Sequence, residues 1–303
     1  MRSNSFAQNQ AVLRSAETTS VLINKQVETN GTSRTYLLAV PDGYENTSFI
    51  NWPLIVDFHG RNGTPEGQWN NSQYYLNPSG RNYFVAYPLG CLGAPSMETA
   101  WQGAPYANPE CNDLLFTADL ITDVQASYSI DSTRIYASGK SNGGGFVDTL
   151  ACSTTGDIFA AFAMAAAALY TDTPSQSADC TGGRPRAILE AHGADDHTIP
   201  FNGGRHKTLP NIPNWTRRWA ERNGCPSTEV PITASPTWGE NTTYSCLGTQ
   251  NSVQQYRVDG LGHCWPSVVN NTDSQKRDGS CLVQSLDFTQ AVVDFFAMWQ
   301  KDT

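Results

Sequence analysis

The sequence predicts an α/β fold with a mostly parallel, doubly wound sheet. Short apolar runs recur at 53–58, 83–87, 134–138, 186–191 and 253–258, helical periodicity fills intervals between them, and one run opens onto a Gly-x-Ser-x-Gly turn. Taken in order, residues 1–19 are polar and featureless and read as an N-terminal extension to a single domain over 20–303. Thr35 to Val40 alternates like an early antiparallel strand, and Pro53 to Phe58 is the first parallel candidate. Helices are expected over Asp113 to Tyr128, Asn214 to Arg222 and Ser285 to Trp299, with another from Gly144 to Cys152. The run Ala160 to Ala168 reads as a small-residue strand or helix packed against neighbours. Segments 60–82 and 88–112 are long and rich in Gly, Pro, Asn and aromatics. They lie after strands, where open α/β sheets bind ligands, and are expected to build a pocket.

The turn Gly139-Lys140-Ser141-Asn142-Gly143 carries the chemistry. A serine between a strand and a helix must adopt a strained backbone if its hydroxyl is to stand clear, so the residues two before and two after must be tiny. A lone serine here would serve as a helix N-cap. Three further segments in chain order make it a nucleophile and specify the α/β-hydrolase fold. The strand 53–58 ends in His59-Gly60-Arg61, where a loop lends a backbone N–H to an oxyanion, and the N–H of Asn142 is the second donor. The strand 186–191 opens into His192-Gly193-Ala194-Asp195-Asp196, where the acid belongs, and Asp195 and Asp196 both qualify. The strand 253–258 is followed by Gly262-His263-Cys264, which places a histidine base on a glycine-flanked loop. His59 and His192 follow strands at the same edge, where they could touch substrate, and are read in preference as rings bonded to loop backbone; His197 and His206 are read as solvent-facing. Trp69, Trp101 and Tyr106 on the long loops are candidates to face an aromatic acyl group, with a hydrophobic plug as the alternative, and Gln102 is a candidate to bond its phenol or methoxy oxygen.

The chain has 303 residues, 19 basic and 28 acidic, for a net charge of −9, and no cluster of Lys or Arg. Nucleic acid and an anionic membrane surface are therefore not expected partners, and a neutral or small substrate is. Eight cysteines without C-x-x-C spacing argue for disulfides rather than zinc, and no metal or cofactor is expected. Eight cysteines allow 105 pairings; sequence-neighbour pairing would join Cys91 to Cys111, Cys152 to Cys180, Cys225 to Cys246 and Cys264 to Cys281. Asn-x-Ser/Thr sequons at Asn30, Asn46, Asn62, Asn70, Asn214, Asn241 and Asn270 agree with an oxidising secretory route, so an extracellular, monomeric enzyme is expected. Met1 to Asn4 lacks an apolar signal core, which suggests a mature end with an added methionine. No stretch has the length of a membrane-spanning helix.

From Tyr36 onward the chain resembles fungal secreted feruloyl esterases of the first carbohydrate esterase family, a group related to polyhydroxybutyrate depolymerases. The resemblance is carried by Val56-Asp57-Phe58-His59-Gly60, Trp101 to Tyr106, Gly139 to Phe146, His192 to Pro200 and Gly260 to Pro266. In that pattern the acid is the fourth residue after the loop histidine, which implies Asp196 rather than Asp195. Tannases and another branch of feruloyl esterases carry a cysteine directly before the nucleophile; Lys140 stands there here, which disfavours that branch. The resemblance implies a Ser141–His263–Asp196 esterase that acts on feruloylated plant cell-wall polysaccharide or small hydroxycinnamate esters. Acetylxylan or polyhydroxyalkanoate esters are the alternative substrates, and an inactive binding protein on the same scaffold is the alternative class.

Overall fold

The computed structural model describes residues 21–45, 50–93, 97–172, 180, 185–204, 209–246, 249–275 and 279–302, apart from the side chains of 246 and 249–251. The expected extension at 1–19, Asn46 and His206 lie outside the described residues. The chain begins with an antiparallel pair, β1 (Val21–Thr29) and β2 (Thr32–Val40). Asn30 and Gly31 turn it at φ 49° and 75°, as a two-residue hairpin requires. There follow β3 (Trp52–Phe58), α1 (Pro65–Ser72), β4 (Phe84–Pro88), a small ribbon of β5 (Cys91–Leu92) and β6 (Thr99–Ala100), and α2 (Asp113–Ser127). Next come β7 (Ile130–Lys140), α3 (Asn142–Ala151), β8 (Ala161–Ala165), β9 (Ala187–Gly193) and α4 (Ile212–Arg222). The chain closes with β10 (Ile232–Ala234), β11 (Gly239–Cys246), β12 (Thr249–Val258) and α5 (Phe288–Ala297).

Ten strands form one sheet in the order β1-β2-β4-β3-β7-β8-β9-β12-β11-β10. The six from β4 to β12 are mutually parallel, and the flanking strands at both edges are antiparallel. The mostly parallel, doubly wound sheet expected from the sequence is present. Inner strands are buried on both faces, which explains why β3 reads as a continuous apolar run rather than an alternation. Along it Leu54, Val56 and Phe58 point to a core shared with α2, α3 and α4, while Ile55 points to a second core beneath α5. The alanine-rich run resolves as the strand β8, whose small side chains let both layers close over the sheet centre.

The chain runs from β3 to β4 on one side and then returns to β7 on the other, so the order reverses beside β3. Crevices at such reversals, outside the carboxyl ends of the strands, are where ligands bind. Two of the loops there are stapled, by Cys91–Cys111 and by Cys264–Cys281. The expected pairs Cys91–Cys111, Cys152–Cys180 and Cys264–Cys281 are present. Cys225 is also disulfide-bonded, and the side chain of its expected partner Cys246 lies outside the described residues. Among the described residues no helix is long and apolar enough to cross a membrane.

Candidate active site

Ser141 sits between β7 and α3 at φ 58°, ψ −119°, a conformation that side-chain-bearing residues adopt only under constraint. The close approach of strand and helix supplies the constraint. A Cβ on Gly143 would lie 2.2 Å from the Phe58 carbonyl oxygen, and one on Gly139 would lie 2.7 Å from the Gly143 carbonyl carbon. Only glycine fits at either position. The Ser141 N–H donates to Ala165 O, and its carbonyl accepts from Gly145 and Ala168. The turn is thereby fixed to both β8 and the start of α3.

Four helices begin on a side-chain cap: Thr64, Asn112, Asn211 and Asp287 accept from N–H groups of α1, α2, α4 and α5. Helix α3 begins on Ser141, whose hydroxyl caps nothing and instead lies 2.7 Å from His263 Nε2. The first N–H groups of α3, beginning with Asn142, have no partner within the helix and point to where negative charge is favoured. Beside them, a Cβ on Gly60 would lie 3.2 Å from Ser141 Cβ, so the loop after β3 borders the serine.

That loop is held by His59. Gly90 N–H donates to His59 Nε2 at 3.0 Å, so the proton is on Nδ1, which donates to Gly60 O at 2.7 Å. Burial holds the ring down to about 4. A trans peptide whose carbonyl is fixed has its N–H turned the opposite way, which orients the N–H of Arg61. The Arg61 side chain runs outward to Glu98 at 2.7 Å from Nε, with its guanidinium 4.4 Å from the Tyr106 ring centre. The Asn142 side chain accepts from Trp101 N–H at 2.8 Å and so ties the loop at 100–112 to the serine turn.

His263 Nδ1 lies 2.7 Å from Asp196 Oδ2, and Asp196 Oδ1 accepts from the N–H groups of Thr198 and Ile199, both at 2.8 Å. Burial alone would raise the Asp196 carboxyl, but bonds and charge from His192 and His263 outweigh it and hold the group well below the usual carboxylate range. His263 is held below the ordinary imidazole value by burial and by the charge of Lys140, against the opposing pull of Asp196. The histidine loop is pinned by Cys264–Cys281 and by Gly262 N–H donating to Ser280 O. Asp195 is exposed, and among the described residues it bonds inward through its backbone N–H, to Leu261 O. An arrangement with these distances can take a proton from a serine hydroxyl and stabilise the resulting imidazolium.

The structure corrects one expectation. Trp101 is fully buried, its ring stacked at 5.5 Å on Phe146 and edge-on to Phe58, with Nε1–H donating to His59 O. It presents no face to a ligand and acts as the plug beneath the loop, because two aromatic rings and a backbone acceptor satisfy it completely. Trp69 stacks on Tyr75 at 4.3 Å and packs on the opposite core layer from Trp101. Tyr106 is half-buried, edge-on to Tyr170. Gln102 donates its backbone N–H to Asp113, and its Oε1 is buried without a partner among the described residues. With Pro105, Asn108, Asn112 and Leu114 it lines a cavity of about 750 Å³. Reading the sequence missed Lys140, Asp273 and Glu190, all buried near the site. Glu190 carried a usable signal, since residues two apart on a strand share a face and Glu190 precedes His192 by two.

No protein-family model matches the chain. Feruloyl esterase C of Emericella nidulans is 30% identical over 250 residues, covering 80% of this chain and 80% of that protein. Feruloyl esterase B of Piromyces equi is 28% identical over 199 residues, 63% of this chain; the match spans only 36% of that longer protein. Among solved structures, an acetyl xylan esterase from Aspergillus awamori superimposes with a TM-score of 0.62 at 17% identity, over 90% of this chain and 98% of that one.

Proposed function

The chain belongs to the feruloyl esterase family, and from that premise we propose that it is a secreted carboxylic ester hydrolase that releases hydroxycinnamates from plant cell-wall polysaccharide through a Ser–His–Asp acyl-enzyme. The observation that carries the mechanism is the continuous pair of 2.7 Å contacts from Ser141 Oγ to His263 Nε2 and from His263 Nδ1 to Asp196 Oδ2. Ser141 attacks the ester carbonyl as His263 takes its proton. The C–O bond to the leaving alcohol breaks as His263 returns that proton to the alkoxide, and water then repeats the sequence on the acyl-enzyme. Asp196 holds the imidazole with its proton on Nδ1. The N–H groups of Arg61 and Asn142 receive the oxyanion.

Gln102 and Tyr106, on the loop beside Asn142, are proposed to meet the acyl group, Gln102 through its unpartnered Oε1. The described disulfides and the exposed sequon residues Asn30, Asn62, Asn70, Asn214 and Asn270 support an extracellular setting. The enzyme is proposed to act as a monomer.

Rates on methyl ferulate, matched acetate esters and acetylated xylan test this reading. Ferulate should be preferred by about a hundredfold, because burying an aromatic ring contributes on the order of 2–3 kcal/mol. Ser141→Ala should lower turnover by about 10⁴ to 10⁶ while leaving the fold intact. Equal rates on ferulate and acetate would move the substrate to acetylated xylan, and a Ser141→Ala protein with more than about a tenth of the parent rate would remove Ser141 from the mechanism.

A further inference from the structure

Behind Asp196 lies a second buried pair that the mechanism above does not use. His192 and Glu190 are wholly buried on β9, on the same face of the strand. His192 Nε2 is 2.7 Å from Ile199 O, and since a carbonyl only accepts, Nε2 carries a proton. That same nitrogen is 3.4 Å from Asp196 Oδ2, the oxygen that also holds His263 Nδ1. On the other side of the ring, Nδ1 is 2.6 Å from Glu190 Oε1.

We propose that Glu190 and His192 extend the hydrogen-bonded chain past Asp196, with His192 a doubly protonated positioning residue that keeps Asp196 ionised and lowers the basicity of His263. The proposal rests on the Ser141–His263–Asp196 reading. The proton between Nδ1 and Oε1 belongs on the ring because two carboxylates face it, one on each side, and only the imidazolium answers both. Burial works against the charged ring, but the charge of Glu190 and the bonds to Asp196 and Glu190 raise it to about 10. Among the described residues Glu190 Oε2 and Gln255 Nε2 are both buried without partners, and Gln255 is the β12 residue in register with Glu190. An ionised carboxylate has use for that amide donor.

Other charges are accounted for. Arg257, the β12 residue in register with His192, pairs with Asp259 at 2.8 Å. Asp195 and His197 are exposed, and Lys140 approaches His263 from β7. Phe201 supplies an apolar ring edge against His192. A cation at His192 shares Asp196 Oδ2 with His263, so it weakens the pull of Asp196 on His263 and keeps His263 neutral, and able to accept a proton, to lower pH.

Nitrogen NMR of the intact protein tests the assignment without any substitution. The His192 ring should show two protonated nitrogens from about pH 5 to about pH 9. In Glu190→Gln the ring should lose its Nδ1 proton within that range, and the acid limb of kcat/KM on methyl ferulate should move up by about half a pH unit to one unit. A change confined to KM, or an unmoved acid limb, would overturn the positioning role. An unprotonated ring nitrogen on His192 in the parent protein at neutral pH would overturn the assignment, whether or not Glu190→Gln folds. Failure of the underlying mechanism would appear separately, as an active Ser141→Ala enzyme.

Discussion

Replacing Lys140 with methionine removes the cation that links the serine turn, through Asp273, to the histidine loop. Lys140 precedes Ser141, and its Nζ lies 2.8 Å from Asp273 Oδ1, with the side chains only 8% and 4% exposed. The other oxygen, Asp273 Oδ2, accepts the N–H of Trp265 at 2.9 Å, two residues beyond His263. One carboxylate therefore fastens the end of β7 to the histidine loop. Breaking a buried ion pair by removing one member costs about 3–5 kcal/mol. A chain of 303 residues unfolds with roughly 0.6 kcal/mol/K of entropy at ~2.1 cal/mol/K per residue, so Tm should fall by about 5–8 °C. Adding Asp273→Asn should cost less than the sum of the two single changes, because both remove the same ion pair.

The kinetic effect has a definite sign. After burial, the charge of Lys140 is the main influence holding His263 below the ordinary imidazole value. Without it the imidazole protonates at higher pH, so the acid limb of kcat/KM should move upward and activity at mildly acid pH should fall first. Thermal unfolding followed by circular dichroism, with pH profiles on methyl ferulate for both single variants and the double, measures all of this. A Lys140→Met enzyme that melts within about a degree of the parent and keeps its acid limb would refute the brace.

Two more outcomes are expected. Asp148 on α3 is fully buried and accepts from the indole N–H groups of Trp215 and Trp219; burial, then the charge of Asp172, push its carboxyl up to about 8 against the pull of Trp219, Arg222 and Trp215. Its folded pKa lies above the unfolded one, so this stabilisation is complete below about pH 4 and declines toward about pH 8, by up to about 1 kcal/mol per pH unit. Asp148→Asn keeps the Oδ1 acceptor and cannot ionise, so denaturant midpoints across that window should lose the slope. For Trp101→Ala the loss of a buried indole should destabilise by about 3–5 kcal/mol and slow ferulate and acetate esters alike; a loss selective for ferulate would put the indole against the acyl group after all.

Five of the six parallel strands and the serine turn were legible because both depend on local pattern: continuous apolar runs, and glycines at fixed offsets from Ser141; the alanines of β8 fit a helix as well as a strand. His263 was legible for the same reason, through its glycine-flanked loop. Residues whose role is set by distant partners were not. Trp101 reads as an exposed loop aromatic until Phe58 and Phe146 close over it, and Lys140 and Asp273 are separated by 133 positions in the chain. Strands β10 and β11 escaped notice because they lie at the sheet edge, where Gly239 to Tyr244 has no continuous apolar run to bury. β1 escaped for a similar reason, although Asn30-Gly31 marked its hairpin.

The bare start of helix α3 has a consequence for how such an enzyme can change. A serine at that position would normally steady the helix, yet here its hydroxyl is committed to His263 and its backbone is bent into a conformation that suits glycine. The molecule carries a local defect at the point where it is most useful. A glycine at 141 would relax the turn and give up no cap, so the Ser141→Gly protein, inactive on the proposed mechanism, is expected to be at least as stable as the parent. Selection for folding alone would erode this turn, and on the proposed mechanism it is the need for a nucleophile that retains the serine.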